Sequence, residues 1–179
     1  MRLWLAAIAG AVLASSSHAS APDRVHIDSG DLQGVVAGEI ASFKNIPYAA
    51  PPVGNLRWRP PQPVAPWSGV RVADKVGALC IQKINSSDNG VGPPPASEDC
   101  LTLNVFAPAV KSSRPLAVMF WIHGGGFVNG SGTAALYDGT ELARQGVVVV
   151  TINYRLGRLG FFAHPALLKE APNELQGNY

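Results

Sequence analysis

Apolar and polar positions change texture several times along the chain. Residues 3–13 form an unbroken apolar run, rich in Ala and Leu, behind a single basic residue, Arg2. Short apolar runs follow at 25–27, 32–36 and 39–43, cut by Gly30-Asp31 and Ala37-Gly38, which predicts a small antiparallel meander. Residues 47–67 are proline-rich and predict neither a helix nor a central strand. Their Tyr48, Trp58 and Trp67 are expected to pack against the body of the protein. Residues 101–106 alternate and read as a strand, whereas 116–122 and 147–152 are continuously apolar. Runs without polar alternation suit strands buried on both faces of a mostly parallel sheet. Between those two runs lie a glycine-rich loop and a short helical candidate at 139–145. Strand, loop, helix and strand make a βαβ unit. No internal repeat is present.

The leading apolar run is too short to span a bilayer, and residues 15–21 supply small residues for cleavage, so 1–19 reads as a signal peptide. Cleavage is expected after Ala19, with Ala21 as the alternative, because cutting at Ala21 leaves Pro22 first. The predicted location is therefore secreted or periplasmic, with no transmembrane segment. Export alters the reading of Cys80 and Cys100, which enclose a polar segment and are expected to pair in an oxidising compartment. Closing a loop of roughly 20 residues stabilises by about 3 kcal/mol in the chain-entropy model. A zinc site needs more ligands at tighter spacing, and His26, His123 and His164 are scattered. Within the same segment, Asn85-Ser86-Ser87 is a glycosylation sequon, meaningful only in a eukaryotic host. With 14 basic and 12 acidic residues the net charge is +2, which disfavours nucleic acid as a partner. At 47% hydrophobic and 15% charged, the chain is too apolar to be disordered.

The segment Trp121-Ile122-His123-Gly124-Gly125-Gly126-Phe127 leaves a predicted buried strand directly. Successive glycines let backbone amides approach a ligand with no Cβ in the way. Such a loop can cradle a phosphate, stabilise an oxyanion, or be a tight turn without chemistry. A phosphate loop needs Gly-Lys-Ser/Thr, and no lysine lies between Lys111 and Lys169. A dinucleotide fingerprint can be laid over Gly130-Ser131-Gly132-Thr133-Ala134-Ala135. It starts well past the strand end, and Tyr154-Arg155 stand where an acidic ribose ligand belongs.

The oxyanion reading matches the HGGG-type loop of α/β-hydrolases, and the likeness then widens. The chain resembles the N-terminal part of the type-B carboxylesterases, the family that includes cholinesterases. Matching segments are Phe43-Lys44-Asn45-Ile46-Pro47-Tyr48-Ala49, Pro51-Pro52-Val53-Gly54-Asn55-Leu56-Arg57-Trp58 and Ser97-Glu98-Asp99-Cys100-Leu101-Thr102-Leu103-Asn104-Val105. The glycine loop, Asn153-Tyr154-Arg155-Leu156-Gly157 and Gln176-Gly177-Asn178-Tyr179 complete the series in order. The resemblance implies an α/β-hydrolase fold in which residues 20–179 supply the N-terminal antiparallel strands and the first part of the mostly parallel sheet. It implies a serine hydrolase acting on small-molecule carboxylic esters through a Ser–Glu/Asp–His triad, without cofactor or metal. By the same resemblance, the Gly125 and Gly126 amides face the oxyanion, and Arg57 and Glu98 form a structural ion pair. His123 is not expected to be the catalytic base, because the triad histidine comes last in the chain order; it is expected to brace the loop. Asn153-Tyr154-Arg155 is expected to end a strand and brace the core. A non-catalytic cholinesterase-like binding or adhesion module is the alternative, though such a module has no use for an oxyanion hole.

Two departures from the family matter. No Gly-x-Ser-x-Gly occurs in these residues, so the chain is expected to be a fragment, with the triad beyond Tyr179, and inactive by itself. Isolated residues 20–179 are expected to aggregate or be molten, with 147–152 left as an apolar edge. Cholinesterases hold choline on a tryptophan in the cysteine-bounded loop, but residues 81–99 contain no aromatic side chain. Choline esters are therefore disfavoured. Asn45 replaces a frequent glycine at a turn, where asparagine tolerates left-handed geometry.

Overall fold

The computed structural model describes residues 23–83, 95–110, 112–174 and 176–179. The leader with its cleavage sites and the Asn85 sequon lie outside the described residues. Strands β1 (Arg24–Ile27) and β2 (Gly30–Gln33) form an antiparallel hairpin. Then come β3 (Val35–Ala37), β4 (Ile40–Pro47) and β5 (Val70–Val72). The apolar run at 32–36, expected as one strand, is two strands in two different sheets. The break falls at Gly34, where a Cβ would lie 2.6 Å from the Phe43 ring and the Ser42 carbonyl, so only glycine lets the chain pass. β5, which the apolar pattern does not predict, pairs in parallel with β2. Trp67 guides it there, donating from Nε1 to the Asp31 carbonyl at 3.0 Å.

The remaining strands are β6 (Leu79–Cys80), β7 (Ala96–Ser97), β8 (Thr102–Pro108), β9 (Val118–Ile122) and β10 (Val148–Ile152), with α1 (Thr140–Arg144) between the last two. The main sheet runs in the order β3-β4-β8-β10-β9. Only β9 and β10 are parallel within it, joined through α1 as the expected βαβ unit. β4 bulges between Phe43 and Ile46 against β8, with Asn45 at φ +59° and its N–H held by the Asn104 side chain at 3.1 Å. The left-handed turn expected of Asn45 is present.

The edge expected at 147–152 lies elsewhere. β10 is interior, flanked by β8 and β9, with Val149 and Thr151 buried. The outer strand among the described residues is β9, whose Val118, Phe120 and Ile122 are 64%, 54% and 60% exposed, so it is not buried on both faces as the apolar run suggests. α1 covers the other face of the sheet. Its Ala143 packs with Ile40, Phe106 and Val149, and Gly139 permits the approach, because a Cβ there would meet Phe106 and Val149 at 2.8 Å. A second cluster, Ala49, Leu101 and Leu156, closes over Cys80 and Cys100. Fully burying a leucine such as Leu156 contributes about 1.5–3 kcal/mol. Beyond β10 lie α2 (Gly157–Gly160) and α3 (Pro165–Glu170). Tyr48, Trp58 and Trp67 do pack back on the body; the Trp58 indole donates to the Arg158 carbonyl at 2.8 Å and lies tilted against the Phe162 ring.

Candidate functional site

The glycine loop leaves the end of β9 at His123. Gly125, Gly126 and Phe127 follow with φ of +119°, +59° and +63°, a left-handed run that glycine adopts without strain and phenylalanine does not. Phe127 is held there by the Gly157 N–H on its carbonyl at 2.7 Å and by the Phe161 ring, with centroids 4.9 Å apart. The Gly125 carbonyl accepts from the Val128 and Asn129 N–H groups at 3.1 and 3.2 Å, closing the turn. A Cβ on Gly125 would sit 2.0 Å from the Asn129 carbonyl oxygen, whereas one on Gly126 meets nothing within 4 Å. Among the described residues, no acceptor takes the N–H of Gly125 or Gly126. Successive amides left open around a left-handed turn are suited to holding an anionic oxygen.

His123 is buried and stacks on Tyr154, with centroids 4.3 Å apart and planes 14° apart. Its Nδ1 lies 2.8 Å from the Gly124 carbonyl, and the Tyr154 hydroxyl donates to the His123 carbonyl at 2.7 Å. Burial holds the imidazole below its usual pKa, only partly opposed by the Gly124 hydrogen bond. The buried ring, stacked on Tyr154 and bonded to the Gly124 carbonyl, braces the loop.

Behind the loop, residues 130–132 form a strap pinned by side chains. The Asn153 Oδ1 accepts from the Gly132 N–H at 2.9 Å and from the Ser131 hydroxyl at 3.0 Å. Its Nδ2 donates to the Ala78 carbonyl at 3.0 Å. The Gly132 carbonyl accepts from the Thr151 hydroxyl at 2.7 Å and from Asn104 Nδ2 at 3.2 Å. The Gly130 N–H and carbonyl both bond to the Gln82 amide at 2.8 Å. These bonds consume the amides that a dinucleotide fingerprint at 130–135 would offer to phosphate. Bracing by Asn153 and Tyr154 follows the sequence expectation. The parts of Gln82, Asn104, Ser131 and Thr151 had no local signal, since each works through a partner distant in sequence.

Cys80 and Cys100 are bonded and buried. The Arg57 guanidinium grips Glu98 with two hydrogen bonds of 2.6 Å, which hold the Glu98 carboxyl below the usual carboxylate range. Glu98 stands two residues before Cys100, so the ion pair anchors the disulfide segment. Arg155 is buried, donates from Nη1 to the Arg59 carbonyl at 2.9 Å and lies over the Tyr179 ring. Burial raises the pKa of nearby Tyr48 to about 12, with Arg155 opposing, so its hydroxyl stays a donor, bonded to the Asn153 carbonyl at 2.6 Å. Among the described residues no group of His, Cys, Asp or Glu is arranged to hold a metal, and no helix is long and apolar enough to cross a membrane.

A model of the carboxylesterase family matches residues 21–179. The chain is 49% identical over 156 residues to the fumonisin B1 esterase of Sphingopyxis macrogoltabida, covering 86% of this chain and 28% of that protein. It is 45% identical over 150 residues to the para-nitrobenzyl esterase of Bacillus subtilis (strain 168), covering 83% and 30%. A solved PNB esterase superposes with a TM-score of 0.76 at 40% identity, over 86% of this chain and 31% of that one. The chain thus spans less than a third of the length of these relatives. The fold is that of the α/β-hydrolases, present in part.

Proposed function

Because this chain belongs to the carboxylesterase family, we propose that it forms part of a carboxylic ester hydrolase in which Gly125 and Gly126 bind the oxyanion. The observation that carries this reading is the pair of amides without an acceptor among the described residues, on a left-handed turn directly after β9. As a serine attacks the ester carbonyl, negative charge develops on oxygen, and donors already in place stabilise it without reorganising. Each such donor contributes about 2.7–4 kcal/mol to the transition state. The serine, its acid and its histidine are assigned downstream of Tyr179, so residues 1–179 supply donors and support rather than the nucleophile. His123, neutral and enclosed, holds the loop. The substrate is a small-molecule carboxylic ester, and choline esters are disfavoured by the absence of aromatic side chains at 81–99. Export through the signal peptide at 1–19, to the periplasm or outside the cell, is supported by the Cys80–Cys100 bond, which persists in oxidising compartments.

The complete coding sequence, expressed and purified, should hydrolyse a short-chain nitrophenyl ester. Gly126→Val should abolish turnover while leaving the circular dichroism spectrum unchanged. A side chain there clashes with no described atom but must adopt φ near +59°, a local strain of about 1–3 kcal/mol. Gly125 is the poorer probe, because any Cβ collides with the Asn129 backbone. Retained turnover in folded Gly126→Val, or a wild type inert towards esters, overturns the reading.

A further inference from the structure

Gln82 makes a two-way contact with a single residue, Gly130, bonding the peptide groups on both sides of its Cα. Its Oε1 accepts from the Gly130 N–H at 2.8 Å, and its Nε2 donates to the Gly130 carbonyl at 2.8 Å and to the Cys80 carbonyl at 3.1 Å. Three of the amide's four hydrogen-bonding valences are thereby used, which fixes its plane. Gly130 in turn forms the foot of the glycine loop. It sits at φ +111°, so close that a Cβ would lie 2.3 Å from His123 Nδ1 and 2.4 Å from the Gly124 carbonyl. Gly130 therefore packs directly against the His123 ring and the Gly124 carbonyl, with no room for a side chain between them. On its other side, Gln82 follows Cys80 by two residues, and the Cys80–Cys100 bond and the Arg57–Glu98 ion pair hold that segment.

We propose that Gln82 is a positioning residue for ester hydrolysis: clamping Gly130, it ties the glycine loop to the disulfide segment and keeps the Gly125 and Gly126 amides aimed. The proposal rests on the oxyanion role given above to those amides. Glutamine is required because the site needs a donor and an acceptor together. Alanine supplies neither, and ionised glutamate supplies only acceptors and opposes the Gly130 carbonyl. Protonated glutamic acid restores an O–H donor beside a C=O acceptor at the same reach.

The test compares Gln82→Ala and Gln82→Glu with wild type in the protein expressed from the complete coding sequence, using a nitrophenyl ester. Gln82→Ala should lower kcat about tenfold to a hundredfold, the scale set by misplacing catalytic groups by an ångström. KM should stay within about threefold, because ground-state binding does not use the oxyanion donors. Gln82→Glu should be equally impaired at pH 8, and its activity relative to wild type should climb as pH falls towards about 4.5 and its carboxyl protonates. A rescue that merely tracks a recovering melting temperature would instead mark a stability role and overturn the clamp. Hydrogen exchange at the Val128 and Asn129 amides, both bonded to the Gly125 carbonyl, gives a readout free of turnover, and should quicken about tenfold in Gln82→Ala with β8 and β10 unchanged. Unchanged kcat in Gln82→Ala, absence of the acid rescue, or unchanged exchange would overturn the clamp. A wild type without esterase activity would instead overturn the oxyanion reading, which the exchange experiment does not touch.

Discussion

His123 shows how one residue can look catalytic and be structural. It precedes three glycines and carries a titratable ring, yet it is 3% exposed, lies flat on Tyr154 and bonds through Nδ1 to the next residue's carbonyl. Burial depresses its pKa in the folded protein, whereas in the unfolded chain it titrates near 6.5. Between those two values the unfolded chain binds a proton that the folded one refuses. Stability is therefore fully present above about pH 6.5 and falls as pH drops towards the depressed folded value, below which the slope from this group ends. His123→Asn removes the titration while keeping a side-chain N–H near the Gly124 carbonyl. Melting temperature measured from pH 7 to pH 5 should fall more steeply in wild type than in His123→Asn. Parallel profiles would show that burial of this ring does not drive the acid sensitivity. Glu98, also depressed, acts only at lower pH, where carboxylates titrate, and does not blur the comparison.

At the scale of elements, the site is a turn between two strands, fastened from behind by a strap and from the side by a disulfide segment. The Cys80–Cys100 bond spans a sequence separation of 20, and in the chain-entropy model its removal destabilises by about 3 kcal/mol. Urea unfolding of the Cys80→Ser, Cys100→Ser double variant should show a loss of that size. A loss below about 1 kcal/mol would mean that the Arg57–Glu98 pair and the surrounding apolar cluster hold the segment alone. The glycine loop, the disulfide, the ion pair and the βαβ unit were all legible in the sequence. Each is written locally, as an apolar run, a glycine cluster or a family motif. What was not legible depends on contacts between distant segments. The crossing at Gly34 is set by the Phe43 ring. The three-residue β5 exists through its pairing with β2. Gln82 belongs to the site because of Gly130, 48 positions away. No local period or composition encodes such partners.

For the whole molecule, strand order decides where apolar surface is left open. Continuous apolarity at 116–122 and 147–152 predicted two equally buried strands, but β10 takes the interior place between β8 and β9. α1 sits on one face of the sheet, and on that side Trp121 leans on Tyr137, with ring centroids 5.3 Å apart. On the other face, Val118, Phe120 and Ile122 stand exposed in a row, and the outer edge of β9 has no strand beside it among the described residues. A flat apolar edge with unpaired backbone groups is a template for pairing with another chain. Residues 20–179 expressed alone should therefore self-associate, eluting ahead of a monomer in size-exclusion chromatography with light scattering. Phe120→Lys places a charge in the middle of the exposed row and should shift the population towards monomer, because pairing would then bury an uncompensated ammonium group. Val72→Lys, on the three-residue outer strand β5 of the three-stranded sheet, an edge too short to template pairing, adds the same charge at a comparably exposed position, 64% accessible, and should leave association unchanged. A soluble monomer with a sharp cooperative melt for unsubstituted 20–179 would show that the β9 edge is tolerated. Equal relief by both lysines would point to general solubility rather than edge pairing. The open face of β9 and the glycine loop are consecutive in the chain. Whatever seals that strand therefore also fixes where the loop begins, and the loop's stability is tied to completion of the sheet.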